Sequence, residues 1–257
     1  MDTPSLVLLL AGSTVAGLVN ALAGGGSLVT LPILLGLGLP PATAAATNAV
    51  AAWLGLFGGA LGVRRDLAGL GRGLAGFFAV SLIGGALGGA AMLATPRPLL
   101  AAAMPWMILA ATLLYLAAPL ATRDAATPDW RPHRLADAAS WRGAVHGLVS
   151  VVTGYFNPAG GVAMVAAFQA FGVADLRLAT ALKIVLAIAV TGASVAVFVL
   201  AGAVDWPIAA IMVVGTAAGG RLGAALVRVV DGRWLRRLVL GWGGAVSMVL
   251  LLPVFVK

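Results

Sequence analysis

This chain lacks cysteine and glutamate altogether, and it has few charged residues of any kind. Without cysteine it can form neither a disulfide framework nor a thiolate metal site. Charged residues make up 9% of the chain, whereas they make up about a quarter of an ordinary soluble domain. Hydrophobic residues make up 61%, and the mean hydropathy is +1.07. The composition therefore indicates a membrane protein.

The few acidic residues are all aspartates, and each lies in a predicted loop or at the end of an apolar segment. A cation carrier, or a proton relay through membrane acids, normally needs a carboxylate inside a span. The chain also lacks a Walker A motif, so ATP is not its energy source, and we predict no cofactor. Its net charge of +8 comes from basic residues in loops, as the positive-inside rule explains, so we predict no nucleic-acid partner.

Long charge-free stretches dominate what is present, and most reach the roughly 20 residues that cross a bilayer as a helix. The 35 glycines suit a bundle in which helix backbones approach closely. We expect the first segment to be retained rather than cleaved, since no basic region precedes it. The predicted segments cover about residues 5–23, 42–63, 74–94, 99–121, 143–154, 176–201, 206–227 and 234–254.

The second half of the chain repeats the first at a fixed offset of 135 residues. Gly26 maps onto Gly161, and Asn48 maps onto Lys183. Each half carries a glycine break inside a membrane-length segment, which is typical of secondary transporters. We predict an all-α membrane protein of about eight transmembrane helices plus two glycine-broken re-entrant segments, arranged as two inverted repeats. The repeats are residues 1–121 and 143–257, joined by a cytoplasmic linker at 122–142.

The distribution of basic residues favours the inverted arrangement. If both broken segments crossed the membrane, arginine-rich loops would lie on opposite sides, against the positive-inside rule. If each folds back, twelve basic residues share one face, and only Arg97 and Lys257 lie on the other. A restarted piece of about ten residues rises about 15 Å, half a bilayer. We therefore expect both termini in the periplasm and the linker in the cytoplasm.

The glycine breaks are the predicted substrate site. A helix that restarts inside a membrane presents a partial positive charge at its first turn, which suits an anion. We expect Ser27 to cap the restarted helix of the first half, and Asn157 to do the same in the second. Polar side chains nearby, such as Thr191 and Ser194, could line a path. The candidate substrate-binding residues are Gly25, Gly26, Ser27, Thr47, Asn48, Asn157, Gly160, Gly161, Lys183 and Arg221.

Lys183 is the most informative of these, because a charge inside an apolar span is expensive and is usually functional. With its repeat counterpart Asn48, it is expected to frame one midplane site. Arg221 is a second cation within a span and exists in one half only. The alternative for both is that their long side chains extend to the cytoplasmic interface. Since the charges within spans are positive, an anion is the expected substrate.

An enzymatic function is not predicted. His146 and Ser150 are four residues apart, a spacing that an intramembrane hydrolase could use. No G-x-S-x-G motif accompanies them,. We expect His146 to lie at the membrane interface, near the linker.

The glycine-rich motif resembles the TauE/SafE sulfite exporter family of bacterial membrane permeases. The resemblance rests on the run Gly17–Ser27, then Pro32, then Pro40–Asn48, and it continues through the second copy from Gly147 to Lys183. It covers essentially the whole chain. It implies transport of sulfite, sulfonates or related organosulfur anions across the bacterial inner membrane.

Together these observations predict a secondary transporter of small anions that works by alternating access, with the two repeats rocking about the site. Its other expected partner is membrane lipid, and a homodimer is left open. Two alternatives remain. A passive anion channel would share the same charges, and a non-transporting membrane scaffold would share the same composition.

Overall fold

The computed structural model describes residues 2–22, 25–63, 71–121, 140–173, 176–226 and 241. The predicted segment 234–254 and most of the linker lie outside the described residues. Every regular element in the described part is helical. The helices are α1 Thr3–Leu22, α2 Ser27–Gly36, α3 Pro41–Val63, α4 Gly71–Ala94, α5 Arg97–Ala121, α6 Trp141–Tyr155, α7 Gly160–Ala170, α8 Leu176–Leu200 and α9 Trp206–Leu226, with a 3₁₀ turn at Asn157–Ala159.

The described helices confirm the corresponding predicted segments to within about three residues at each end. Proline in the first turn starts several of them, because it lacks the N–H that a helix start leaves unpaired. Pro41 and Pro207 are examples. Glycines with positive φ end two others, at Gly38 (φ 85°) and Gly172 (φ 96°). There the chain leaves the helix in a left-handed turn that costs a side-chain-bearing residue more.

Four described helices are long and apolar enough to cross a membrane, judged by length and composition: they contain Thr3–Asn20, Leu74–Ala94, Arg97–Leu114 and Leu178–Leu200. By contrast, α2 has 10 residues and α7 has 11. Each therefore rises only about 15 Å, half the hydrocarbon thickness. The total of eight crossings stays a prediction.

The helices of the two halves begin in register. α3 begins at Pro41 and α8 at Leu176, and α4 begins at Gly71 and α9 at Trp206. Both pairs are separated by the 135 residues of the sequence repeat. In each half, a long helix, a break and a short helix precede these elements. Helix order therefore follows the repeat, and the starts of these two helix pairs match its offset.

The most extensive packing joins the two halves rather than the helices within one half. α1 packs along α9, and α4 packs along α6. Glycines let the backbones touch: a Cβ atom at Gly17 would collide with the carbonyl of Thr216, and one at Gly88 would collide with the carbonyl of Val151. Small residues at membrane helix interfaces allow this close approach. The first helix of each half is thus held by the fourth helix of the other.

α3 and α8 cross at the centre of the molecule and run antiparallel. Trp53 Nε1 donates a hydrogen bond of 3.1 Å to the carbonyl oxygen of Ile188, its own repeat counterpart 135 residues away. Residues of α3 that precede Trp53 line the same cavity as Ser194 and Phe198, which follow Ile188 on α8. Positions before the crossing on one helix therefore lie beside positions after it on the other.

Candidate functional site

The first helix break lies between Leu22 and Ser27. Gly25 has a φ of 88°, a value that favours glycine. The prediction that Ser27 caps α2 is wrong: Gly26 is the N-cap, and no side-chain capping bond forms. Ser27 is already the first helical residue, so its hydroxyl lies beyond the capping position. Instead, the N–H of Leu28 bonds to the Gly25 carbonyl at 2.9 Å.

The second break is shorter and has a different backbone. α6 ends at Tyr155, and Phe156 is extended with φ −144° and ψ 94°. The 3₁₀ turn follows at once, and α7 continues from it at Gly160. The prediction that Asn157 caps this helix is also wrong, because no side-chain capping bond forms there. Its amide Nδ2 instead donates to Thr191 Oγ1 at 3.0 Å, which ties the break to α8.

A small cavity lies beside the second break and is walled by both halves of the chain. Asn48 contributes from α3 and Ser194 from α8, while Tyr155 and Asn157 contribute from the break. The cavity volume open to the centre of a water molecule is about 10 Å³. That is room for about one water molecule. The apolar part of the wall consists of Leu31, Ala45, Ala49, Met92, Phe156, Pro158 and Phe198, together with Gly154.

The side chain of Asn48 is held in one orientation. Its Oδ1 atom accepts a hydrogen bond of 2.5 Å from Thr30 Oγ1 on α2. Asn48 itself is 2% exposed. Since an amide has one acceptor oxygen and two N–H donors, this bond leaves both N–H groups of Asn48 without a partner among the described residues. The cavity wall therefore carries hydrogen-bond donors from α3.

Lys183 lies at the start of α7, apart from this cavity. A Cβ atom built on Gly161 would lie 3.6 Å from Lys183 Cε and 3.7 Å from its ammonium nitrogen. Within the described part of the chain, no hydrogen bond or ion pair involves that ammonium. The first turn of a helix carries partial positive charge. The Lys183 amino group and a helix N-terminus thus lie side by side.

Lys183 and Asn48 do not frame one cavity, contrary to expectation. Both precede the α3–α8 crossing by five residues, and the two helices are antiparallel. They therefore lie on opposite sides of the crossing, about 7 Å from it along each helix. The cavity wall includes Asn48 and does not include Lys183. The arrangement is two separate polar sites rather than one midplane site. We call them stations: one is the cavity beside Asn48, and the other is the start of α7 beside Lys183.

The remaining candidates are distributed around these stations. Gly26 is the repeat counterpart of Gly161, and its carbonyl lies 3.5 Å from Thr30 Oγ1, next to Asn48. Thr47 is fully buried, and its hydroxyl accepts a 3.0 Å hydrogen bond from the backbone N–H of Asp205, so it fastens α3 to the start of α9. Arg221 is exposed on α9 and does not line the cavity.

A buried polar cluster lies where the sequence predicted an interface. His146 is 0% exposed and lies inside the protein; the expectation that it lies at the depth of the membrane interface stays a prediction. Its Nε2 atom lies 2.8 Å from Ser81 Oγ on α4. The close α4–α6 packing explains the burial, and the four-residue spacing of His146 and Ser150 was the available signal. Ser81 was not identified from the sequence, because a lone serine in an apolar helix carries no pattern.

The family of the chain follows from comparison with known proteins. Residues 9–250 match the model of the family described as Sulfite exporter TauE/SafE. The chain belongs to this family. The resemblance based on the glycine-rich motif is thereby confirmed.

Relatives of this TauE/SafE chain are similar over most of its length. A protein of Haemophilus influenzae named "Probable membrane transporter protein" is 30% identical over 235 residues, which covers 91% of this chain and 89% of that protein. The "Probable membrane transporter protein YfcA" of Escherichia coli strain K12 is 28% identical over 226 residues, covering 87% and 81%. No solved structure matches the chain significantly.

Proposed function

We propose that this chain is a secondary transporter of small anions in the bacterial inner membrane, with sulfite and sulfonates as the leading substrates. The observation that carries the proposal is the position of Lys183 against Gly161 at the start of α7. Two positive features, an ammonium group and a helix N-terminus, adjoin with no carboxylate between them among the described residues. Such a pair is stable in an apolar span when an anion joins it.

The cavity beside Asn48 supports the same substrate class. It offers the N–H donors of Asn48 and the hydroxyl of Ser194, and uncharged donors of this kind bind oxyanions. We infer that an anion visits both stations on its way across, one on each side of the α3–α8 crossing. A cavity with room for one water molecule must widen to admit sulfite, so this conformation is closed at that station. Arg221 would add a favourable field from outside the cavity.

The inverted repeat is part of the proposal, and three observations support it. The starts of two helix pairs match the 135-residue offset, Trp53 contacts its own counterpart Ile188, and the helices that cross there are antiparallel. A residue that touches its own repeat copy lies on the axis relating the two halves. Antiparallel counterparts are what inversion across a membrane produces. Together with the basic residues of the loops and the linker, which favour the cytoplasmic side, this arrangement supports periplasmic termini and a cytoplasmic linker.

Alternating access in this fold would not be a rocking of one sequence half against the other. α1 is packed backbone-to-backbone on α9, and α4 on α6. Sliding these pairs apart would lose the closest helix contacts in the described part. We infer that the bodies that move are these mixed pairs, and that the central α3–α8 crossing is where access alternates.

The test is counterflow of labelled sulfite in proteoliposomes, with Lys183→Gln beside the wild type. Glutamine keeps most of the side-chain length and removes the charge. Loss of one charge-assisted contact, about 1.5–3 kcal/mol, predicts that transport at subsaturating sulfite falls at least about tenfold. Arg97→Gln is the matched control, because it removes a cation from an exposed helix start.

The outcomes separate the candidate functions. Saturable counterflow that Lys183→Gln lowers and Arg97→Gln leaves intact supports a carrier. Flux without counterflow indicates a channel. Absence of flux for sulfite, sulfonates and carboxylates, from protein shown to be folded, contradicts transport and leaves the scaffold function.

A further inference from the structure

The buried cluster of His146, Ser81 and Ser150 is not used by the anion path. His146 Nε2 lies 2.8 Å from Ser81 Oγ and 3.4 Å from Ser150 Oγ. The Ser150 hydroxyl donates to the carbonyl oxygen of His146 at 2.8 Å, so its oxygen remains free to accept. Two hydroxyl groups therefore lie beside Nε2, and each can accept from an N–H on that nitrogen.

The other ring nitrogen, Nδ1, is buried without a hydrogen-bond partner of normal geometry in the described part of the chain. A buried polar atom without a partner is uncommon and calls for an explanation. A neutral imidazole carries one proton on its two ring nitrogens, so the nitrogen that lacks it can bind a second one. In the imidazolium both nitrogens carry N–H groups, for which the serine hydroxyls and the Phe77 carbonyl that faces the ring are acceptors.

Among the described residues that face the ring, none is titratable. From α4 the ring faces Phe77, whose aromatic ring centre lies 5.0 Å away and whose carbonyl group also faces it. From α7 it faces Phe168 at 5.7 Å. Ser150 is on the same helix, one turn later, and Arg142 is one turn earlier. The imidazole makes no ion pair with a charged side chain in the described part of the chain.

The cluster is mechanically connected to the cavity through the two helices that it joins. Beyond His146, α6 continues to Tyr155, and beyond Ser81, α4 continues past Met92. Tyr155 and Met92 both line the cavity. There the Tyr155 hydroxyl lies 3.0 Å from Thr95 Oγ1, a second hydrogen bond between the same helices. Between the two bonds the backbones touch at glycines. A change at His146 therefore alters how the cavity wall is held.

We propose that His146 binds the proton that couples anion transport to a proton gradient, with Ser81 and Ser150 accepting from the protonated ring. This inference rests on the proposed transporter function. One proton adds to the unprotonated ring nitrogen from water on one side of the membrane and leaves to water on the other. No other covalent bond forms or breaks. The imidazolium charge offsets that of the anion, so that a monovalent anion and its proton cross without net charge.

The test separates exchange from coupling in proteoliposomes. The probe is labelled methanesulfonate, whose charge is constant between about pH 5 and 8, where histidine titrates. Exchange at equal pH reports transport alone, and accumulation under an imposed pH difference reports coupling. We expect His146→Gln to keep exchange and to lower pH-driven accumulation about tenfold or more, within the usual range of coupling energies. Ser81→Ala, which keeps the imidazole, should weaken coupling less.

Each result decides between the two proposals. If His146→Gln accumulates methanesulfonate under a pH difference as well as the wild type does, the proton site is overturned and the transporter proposal stands. No exchange of any anion by the wild type overturns both. A measurement without variants covers the case in which His146→Gln does not fold. When methanesulfonate is added to weakly buffered wild-type protein, up to about one proton per chain should be exchanged with the solution, which is read as a change in pH. No change in pH overturns the proposal.

Discussion

At the scale of single residues, orientation matters as much as identity. Asn48 could present either its oxygen or its amide to the cavity; with the oxygen accepting from Thr30, both amide N–H groups remain available. If the proposed anion path passes this position, an anion would meet donors there and a cation would meet repulsion. Gly161 acts in the same indirect way, because its missing side chain leaves the space beside Lys183. The charge preference of the path thus depends on neighbours of the polar residues.

Asn48→Asp should reverse the preference at this station. The carboxylate can still accept from Thr30, but an oxygen then replaces the amide that faces the cavity. Two like charges about 4 Å apart at an effective dielectric of about 20 repel by about 4 kcal/mol. Sulfonate counterflow should therefore fall by two orders of magnitude or more at neutral pH.

This prediction has an internal check in its pH dependence. Protonation neutralises the new carboxylate, so counterflow of the variant should recover as the pH falls. Thr30→Val is the companion variant, since it removes the orienting bond and leaves the amide. It should produce a smaller loss without recovery at low pH. Full counterflow by Asn48→Asp at neutral pH would remove Asn48 from the anion path.

At the scale of helices, glycine determines which elements are neighbours. The closest contacts of α4 with α6 occur where neither backbone carries a side chain in the way. Without a hydrophobic driving force between helices in lipid, such packing supplies much of the association energy. Glycines elsewhere, such as Gly36 and Gly55, face open space and carry no such role. Glycine therefore allows close helix packing, but only at specific positions.

Gly88→Ala should destabilise the protein, because the new methyl group would collide with the Val151 carbonyl and the Tyr155 backbone N–H. Overpacking of this kind costs about 1–3 kcal/mol. Gly55→Ala is the matched control: the same substitution in a helix, with no atom within 4 Å of the new Cβ. Thermal unfolding in detergent should show a lower midpoint for Gly88→Ala only. Equal midpoints would contradict the close α4–α6 packing.

At the scale of the whole molecule, the two halves are interlocked rather than adjacent. Since α1 is held by α9 and α6 by α4, a half on its own would expose the faces that the other half covers. The described helix contacts do not need the covalent link between the halves. The linker would then serve mainly to keep the halves on one chain.

Separate expression of the two halves tests this arrangement. Residues 1–130 alone should be degraded or aggregate, whereas the same piece co-expressed with residues 131–257 should assemble and exchange anions. Co-purification in detergent and counterflow in proteoliposomes are the measurements. A first half that is monodisperse and stable by itself would show that each repeat folds as an independent unit, against the mixed-pair packing.

Much of the fold could be predicted from the sequence because membrane helices can be recognised as long runs of apolar residues. The bounds of α3, α4, α5, α8 and α9 agree with the predicted segments, and the positions of both breaks were foreseen from Gly25 and from Asn157-Pro158. The capping roles of Ser27 and Asn157 were not, since capping depends on where the first helical turn begins. α2 begins one residue earlier than a Ser27 cap requires, so Gly26 rather than Ser27 is at the N-cap position.

The candidate site was predictable in its residues and not in its grouping. The offset of 135 residues correctly paired Asn48 with Lys183, but a repeat offset gives correspondence, not distance. Whether two corresponding residues share a cavity depends on how far each lies from the point where α3 and α8 cross. That point, at Trp53 and Ile188, is a property of the packed molecule.

The sequence by itself determined the class, the family and the helical segments, because these depend on composition, on local runs of apolar residues and on a repeated motif. Only the tertiary structure decided that Asn48 and Lys183 form two stations, that Asn48 presents its amide, and that His146 is buried between α4 and α6. Each of these depends on contacts between residues far apart in the chain. Such contacts follow from the packing of glycine-faced helices, which no local pattern specifies.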